Sequence, residues 1–248
     1  MRVLRFTYAI AAYLLFFATF CYLVGFVGNL LVPKGIDTVP ATGAALSTGM
    51  AVVVDLLLIA LFGVQHSVMA RRGFKSWLTR ALHPAIERST YVLATVIVLW
   101  VLMVFWQPIP AVVWQAEAGW LVALLWALFG IGWAVVFIST WLLNHFELFG
   151  LHQAWLDLTG REAPPPRFRE PAFYRLVRHP LYLGLVLAFW AIPTMTFGHL
   201  VFAGGMTVYI LVGIRYEERD LLAALGAQYA EYRTRVGMIV PGLGKAKG

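Results

Sequence analysis

At least five stretches of this chain are apolar over about 18 residues or more, the length that crosses the hydrocarbon core of a bilayer as a helix. A chain of 248 residues that carries so many has no room left for a sizeable aqueous domain. Composition agrees: 61% of the residues are hydrophobic and 12% are charged, against a charged share of about 25% in soluble domains. The pattern predicts one all-α integral membrane domain, residues 1–248. Spanning helices are expected at about 6–32, 47–70, 90–106 and 120–143, and a tighter helical pair at 181–194 and 199–214, which makes five or six membrane helices.

The first run follows "MRVLR" and is too long for the apolar region of a secretory signal, about 7–15 residues, so it reads as a retained helix. The single cysteine, Cys21, lies within it as a small apolar packing residue. The net charge of +7 would suit nucleic acid if it were spread over a groove, but 18 of the 19 Lys and Arg fall in alternate loops and at the two ends. By the positive-inside rule both termini and the basic loops face the cytoplasm. The charge therefore sets topology, with membrane lipid and not nucleic acid as the partner it addresses.

The character of the chain changes near residue 144. "NHFELFGLHQAWLDLTGREAPPPRFREPAFYRLVRHP" is mixed and proline-punctuated, and its aromatics Phe146, Phe149, Trp155, Phe168, Phe173 and Tyr174 predict order. The apolar run 181–214 is too short for two full spans and too long for one, and "IPTMTFGH" interrupts it, so it reads as a hairpin with two short arms. After it, Leu221, Leu222, Leu225, Tyr229 and Tyr232 recur at helical spacing among charges, the pattern of a cytoplasmic amphipathic C-terminal helix. The functional region is thus expected at 144–241, after four transmembrane helices in 1–143.

At the mouth of the hairpin stand Arg178, His179 and Tyr182, with Pro180 suited to the first helical position. The N–H groups of that first turn can receive an anion. Glu217 and Glu218 follow the second arm, and a hairpin brings its two ends together. Spacing alone leaves two readings open: an ion-paired interface marker, or a cluster that receives a zwitterionic ligand.

"RHPLYLG" followed some thirty residues later by "YEERDLLAALGAQYAEYRTRVGMIVP" resembles the C-terminal signature of the isoprenylcysteine carboxyl methyltransferase superfamily, whose members are integral membrane enzymes. The resemblance implies S-adenosylmethionine as methyl donor, with S-adenosylhomocysteine as its product. It also implies a cofactor pocket made by Arg178, His179, Tyr182, Leu183 and Gly184 with Glu217 and Glu218. "FGVQHSVMARRGFKSWLTR", "IERSTYVLA" and "STWLLNHFELFGLHQAW" extend the likeness over nearly the whole chain, to the bacterial methanethiol S-methyltransferases of the NnrU-related branch. That implies methylation of methanethiol to dimethyl sulfide in the bacterial inner (cytoplasmic) membrane. A prenylcysteine or phospholipid acceptor, or a non-catalytic NnrU-like protein, are the other outcomes of the same resemblance.

A thiol acceptor reacts as the thiolate, so a base is expected near its sulfur. The placement of the helices puts His66, Tyr91 and His145 at similar depth on the cytoplasmic side, His66 as base or orienter and the other two as its partners. His199 falls at the opposite end. Glu87 and Arg88 are expected to pair or to lean on the cofactor cluster, and Asp55, inside a span, is as readily structural as catalytic. His145, Glu147 and His66 together form a weak metal-ligand pattern, and the sequence leaves the metal unknown. One methyl in an apolar pocket contributes only about 1–3 kcal/mol, so modest discrimination between methanethiol and hydrogen sulfide is expected.

Overall fold

The computed structural model describes residues 1–39, 46–163 and 170–246; Phe168, one of the aromatics from which order was expected, lies outside them. In chain order the helices are α1 (Arg2–Gly28), α2 (Thr48–Met69), α3 (Arg72–Leu78), α4 (Pro84–Phe105), α5 (Gly119–Leu142), α6 (His145–Leu148), α7 (Leu151–Thr159), α8 (Pro180–Trp190), α9 (Phe197–Leu225) and α10 (Ala227–Arg235). A 3-10 turn covers Ala172–Arg175, and strands β1 (Val112–Gln115) and β2 (Thr194–Thr196) pair in a two-stranded ribbon. Of these helices α1, α2, α4, α5 and α9 are long and apolar enough to cross a membrane. The fold is that of an all-α integral membrane protein, as the apolar runs predict. The chain divides into two compact units.

The first unit comprises Met1–Trp114, His145–Pro164 and Thr194–Gly205. There α4 packs on α1 and α2, and α7 lies against α1. Helix α4 starts earlier than expected because Pro84 fills its first position and the His83 ring accepts from the Ala85 N–H at 3.3 Å. Helix α1 stops earlier than expected, at a left-handed Asn29 (φ 52°). The Asn29 carboxamide grips Asp37 on both sides, donating to its carboxylate at 2.8 Å and accepting from its N–H at 2.9 Å. At the far end of α4, the Lys34 ammonium donates to the carbonyls of Val104 and Trp106, and fully buried Asp55 accepts from the Gln107 N–H at 2.8 Å. Asp55 thereby holds the chain where α4 ends, the structural alternative left open by the sequence. Phe26, Trp106 and Phe202 meet edge to face in the core of this unit. Arg5 pins α7 through a two-pronged pair with Asp157 at 2.7 and 3.0 Å, which holds that carboxyl below the usual carboxylate range.

The second unit comprises Gln115–Asn144, Pro165–Pro193 and Met206–Gly248. Its tightest contact is α5 on α8, made possible by two glycines facing each other. A Cβ on Gly132 would stand 2.7 Å from the Ala188 nitrogen and 2.8 Å from the Gly184 oxygen, and one on Gly184 would stand 2.6 Å from the Gly132 oxygen. Small residues let helix backbones approach where lipid offers no hydrophobic drive for association. Helix α8 has 11 residues, about 16 Å of helix against a hydrocarbon core of about 30 Å, so it is the short arm that the sequence implies. The second arm differs from expectation. Helix α9 continues unbroken from Phe197 to Leu225, so Glu217 and Glu218 lie on the helix itself and not beyond its end. Only at Gly226 (φ 55°) does the chain turn, and α10 then folds Tyr229, Tyr232 and Val236 onto Leu221, Leu222 and Leu225.

Two glycines two residues apart on α5 are expected to respond oppositely to alanine. Gly132→Ala forces a Cβ into the α8 backbone and lowers the melting temperature in detergent, at a cost of about 1–3 kcal/mol. Gly130→Ala meets open space and gains helix propensity, about 1 kcal/mol, so its melting temperature rises.

Candidate active-site residues

At the mouth of the α8–α9 hairpin the structure brings together the cluster that the sequence predicts. Pro180 occupies the first position of α8. Just before it, Arg178 and His179 are each 4% exposed, and Glu218 of α9 is 7% exposed. The Arg178 Nε donates to Glu218 Oε1 at 2.7 Å, and the His179 Nε2 lies 3.1 Å from the same oxygen. The Arg233 Nε is 3.1 Å from Glu218 Oε2. Arg178 turns its remaining donors to backbone: Nη1 to the Val236 carbonyl and at 3.3 Å to that of Arg233, Nη2 at 3.0 Å to that of Gly244. Its own N–H and that of His179 donate to the carbonyls of Gly237 and Met238. The guanidinium thus clamps the C-terminal segment over the start of α8.

Glu217, one residue before, has 46% of its side chain exposed and lies 3.9 Å from His179 Nδ1. The Tyr182 ring sits beside that of His179 at 5.6 Å between centroids. Leu183 donates its N–H back to the His179 carbonyl, within the first turn of α8, and Gly184 is taken up by the contact with α5. Burial pushes the phenols of Tyr174, Tyr229 and Tyr232 up, that of Tyr232 to about 12, so all three stay neutral. The Tyr232 hydroxyl ties α10 to the Tyr174 carbonyl.

In the first unit, α2 and α4 bring His66 and Tyr91 together: the Tyr91 hydroxyl is 2.7 Å from His66 Nε2. His66 Nδ1 is 3.2 Å from the Thr95 hydroxyl, one turn further along α4, and the Thr95 hydroxyl donates to the Tyr91 carbonyl at 3.0 Å. Phe62 stacks on the imidazole, and the Arg88 guanidinium lies 4.9 Å from the centroid of the Tyr91 ring. Arg88 Nε donates to the Leu148 carbonyl at 2.8 Å, so the residue joins α4 to the end of α6. Gly150 (φ 90°) makes the next turn possible, since a Cβ there would stand 2.7 Å from the Ser89 nitrogen.

The Nε2 of His145, on α6, lies 2.8 Å from the hydroxyl of Tyr13 on α1. Phe149 connects this pair with that of His66 and Tyr91. It packs with Tyr91 and Val92 and meets the His145 ring at 4.9 Å. Burial holds the His145 imidazole below the ordinary histidine value, in its neutral form. Tyr13 was missed from the sequence, where the signal was faint: one of three phenols, with Tyr8 and Tyr22, in a largely apolar span. Thr95 was missed because a threonine inside a helix usually bonds back to its own turn. His199 is fully buried at the start of α9, its N–H donating to the Thr196 hydroxyl at 3.0 Å. Among the described residues, no three of His, Cys, Asp and Glu come close enough together to hold a metal ion.

A multi-pass helical membrane protein, with its ions drawn to one helix end and neutral phenol–imidazole pairs within its spans, is the class that this fold and these residues define. The chain belongs to the NnrU protein family, whose model matches residues 55–243. It is 52% identical over 240 residues to methanethiol S-methyltransferase 1 of Bradyrhizobium diazoefficiens, covering 97% of this chain and 83% of that relative. Methanethiol S-methyltransferase of Mycobacterium tuberculosis is 51% identical, with 97% of both chains covered. Nurim of Sus scrofa is 32% identical over 176 residues, 67% of this chain and 66% of that protein. No solved structure matches the chain.

The Arg178 clamp is expected to be intolerant of lysine as well as of methionine. An ammonium cannot reproduce bonds to a carboxylate and three carbonyls at once, and breaking a buried pair costs about 3 kcal/mol or more. Both Arg178→Met and Arg178→Lys should therefore lower the melting temperature and open the segment after Arg233 to limited proteolysis, while Glu217→Gln leaves both unchanged.

Proposed function

We propose that this protein is a membrane methyltransferase that transfers a methyl group to methanethiol, giving dimethyl sulfide. The likeness to methanethiol S-methyltransferases over 97% of the chain supports the acceptor. The single structural observation that carries the chemistry is the Tyr91–His66 hydrogen bond of 2.7 Å, a neutral proton-accepting pair within the spans. Methylation of a thiol must dispose of one proton, and this pair receives it.

The methyl donor is S-adenosylmethionine, which when bound supplies an electrophilic methyl on a sulfonium. The groups at the hairpin mouth fit such a ligand, which carries positive charge. Glu217 is the carboxylate there that is half exposed, and Tyr182 adds an aromatic face. In this reading Glu217, Tyr182 and the His179 ring contact the donor. Arg178 and Glu218, engaged with each other and with backbone, orient them, and Leu183 and Gly184 set the first turn of α8 beneath. In the first unit His66 and Tyr91 take the proton, and His145 with Tyr13 backs the aromatic wall of that site through Phe149. The acceptor is small and apolar, so its affinity is low, at about 0.8 kcal/mol per buried carbon.

Location follows from charge. With 18 of the 19 Lys and Arg at the termini and in alternate loops, both ends lie in the cytoplasm of a bacterium and the protein spans its inner membrane.

Purified protein in detergent, given S-adenosylmethionine and methanethiol, is expected to release dimethyl sulfide into the headspace, read by gas chromatography. His66→Ala should lower the rate by about a hundredfold or more, and Glu217→Gln should raise the KM for the donor. Wild type that binds the donor yet yields no dimethyl sulfide, and instead methylates a prenylcysteine or phospholipid, would overturn the acceptor assignment.

A further inference from the structure

Thr95 is the part of the His66 network that neither the sequence pattern nor the family likeness points to, and it determines where the protons sit. Its hydroxyl has one hydrogen. The Tyr91 carbonyl, 3.0 Å away, can only accept, so that hydrogen goes to it. Toward His66 Nδ1, at 3.2 Å, the Thr95 oxygen is then the acceptor, and Nδ1 must carry the imidazole hydrogen. A neutral imidazole has only one N–H, so Nε2 is the lone-pair nitrogen, and the Tyr91 hydroxyl at 2.7 Å is its donor. This placement of hydrogens is assigned from the hydrogen-bond network, with a donor and an acceptor matched at each of these three contacts.

Both nitrogens of His66 are engaged in this arrangement, and the thiol must therefore meet the pair at the phenolic oxygen of Tyr91. Building on the thiol methyltransferase reading, we propose that Thr95 is a positioning residue that holds His66 in the Nδ1–H tautomer, so that Tyr91 receives the thiol proton while passing its own to His66 Nε2. The S–H bond breaks and an O–H bond forms on Tyr91; the original phenolic hydrogen moves to Nε2, giving imidazolium. The electron pair of the S–H bond stays on sulfur, where it makes the new S–C bond; the bond that would break is the sulfonium S–CH3 bond of the donor, whose electrons would go to the donor's own sulfur, so that S-adenosylhomocysteine would be the leaving group. After the product leaves, Nε2 gives its proton back to the Tyr91 oxygen and the phenol releases one proton to solvent, which restores the starting pair. Tyr91 is therefore the catalytic contact and His66 the base behind it, the reverse of the roles suggested by position along the sequence. The Arg88 guanidinium over the Tyr91 ring favours the electron-rich phenol during the exchange.

The test begins without any substrate. Protein labelled with 15N and 13C histidine, in detergent, reports the tautomer of each imidazole by its ring shifts, and the His66 signals are identified by their loss in His66→Gln. Wild type is expected to show His66 protonated at Nδ1, Thr95→Ser the same, and Thr95→Val a shift to the Nε2–H form. In turnover, Thr95→Val should lose about tenfold or more in kcat with KM for methanethiol changed less than about twofold, and Thr95→Ser should recover most of the loss. A wild-type His66 protonated at Nε2, or Thr95→Val with unchanged tautomer and kcat, would overturn the proposal. Because the tautomer is read with no donor or thiol present, it decides the role of Thr95 even where Thr95→Val fails to fold or wild type makes no dimethyl sulfide; that last result would remove the acceptor reading alone.

Discussion

Glu218 is a carboxylate closed off from solvent on a helix of the membrane-spanning part of the chain, and the whole C-terminal region is arranged to keep it paired. An unpaired charge there would cost several kcal/mol, and two guanidinium groups and an imidazole answer it: Arg178 and His179 just before α8, and Arg233 from α10. They come from two separate segments of chain. The carboxylate can be satisfied only if α8 begins where it does, α9 continues past the hairpin, and α10 folds back. The Arg178 donors left over then bind the carbonyls of Arg233, Val236 and Gly244, in the last turn of α10 and past its end. One buried charge fixes the placement of three segments, and Glu217 beside it, relieved of that duty, is left facing outward.

The first unit handles polar groups differently. Inside and beside the spans it uses phenols, a hydroxyl and imidazoles: Tyr91 and Thr95 with His66, and Tyr13 with His145 of α6. Its charged groups complete backbone where helices end: Lys34 takes the carbonyls of Val104 and Trp106 at the end of α4, Asp55, from within α2, takes the N–H of Gln107 just beyond, and Arg88 takes the carbonyl that ends α6. This follows from desolvation, since a neutral hydroxyl or imidazole loses far less on leaving water than an ion does. Neutral pairs can therefore sit where an apolar thiol would bind, and ions where the chain turns.

Much of this was legible in the sequence because membrane helices announce themselves by length and apolarity. The four long spans before residue 144, the short first arm of the hairpin and the meeting of Arg178 and His179 with Glu218 all follow from runs, breaks and Pro180. The end of α9 was not legible. Residues 215–225 carry enough charge to look like a separate surface helix, yet nothing at 214 breaks the helix, and the first glycine able to turn the chain is Gly226. Gly184 was read with the ligand motif to which it is adjacent, while its missing side chain is used by Gly132, fifty residues away, a contact that no local pattern encodes. The use of Arg178 was hidden for the same reason: its motif looks outward, but its donors turn to carbonyls of a segment some sixty residues later.

The choice of a phenol–imidazole pair suits a thiol held in apolar surroundings better than a carboxylate would. A carboxylate base standing ready in an empty apolar site would need permanent partners of the kind that Glu218 has, and those partners would compete with the thiol for its oxygens. Tyr91 and His66 carry no charge until a proton arrives, so nothing has to be neutralised while the site waits. In the proposed mechanism charge appears only as the sulfur forms its new bond, and it appears on the imidazole, with the phenol between it and the sulfur. The base would then act without touching the substrate, and the surface that meets a one-carbon thiol could remain aromatic and dry. Phe62 stacks on the imidazole and Phe149 packs on Tyr91, so in the proposed mechanism rings shield the transfer between the two side chains from water until the product has left and the proton can be released to solvent.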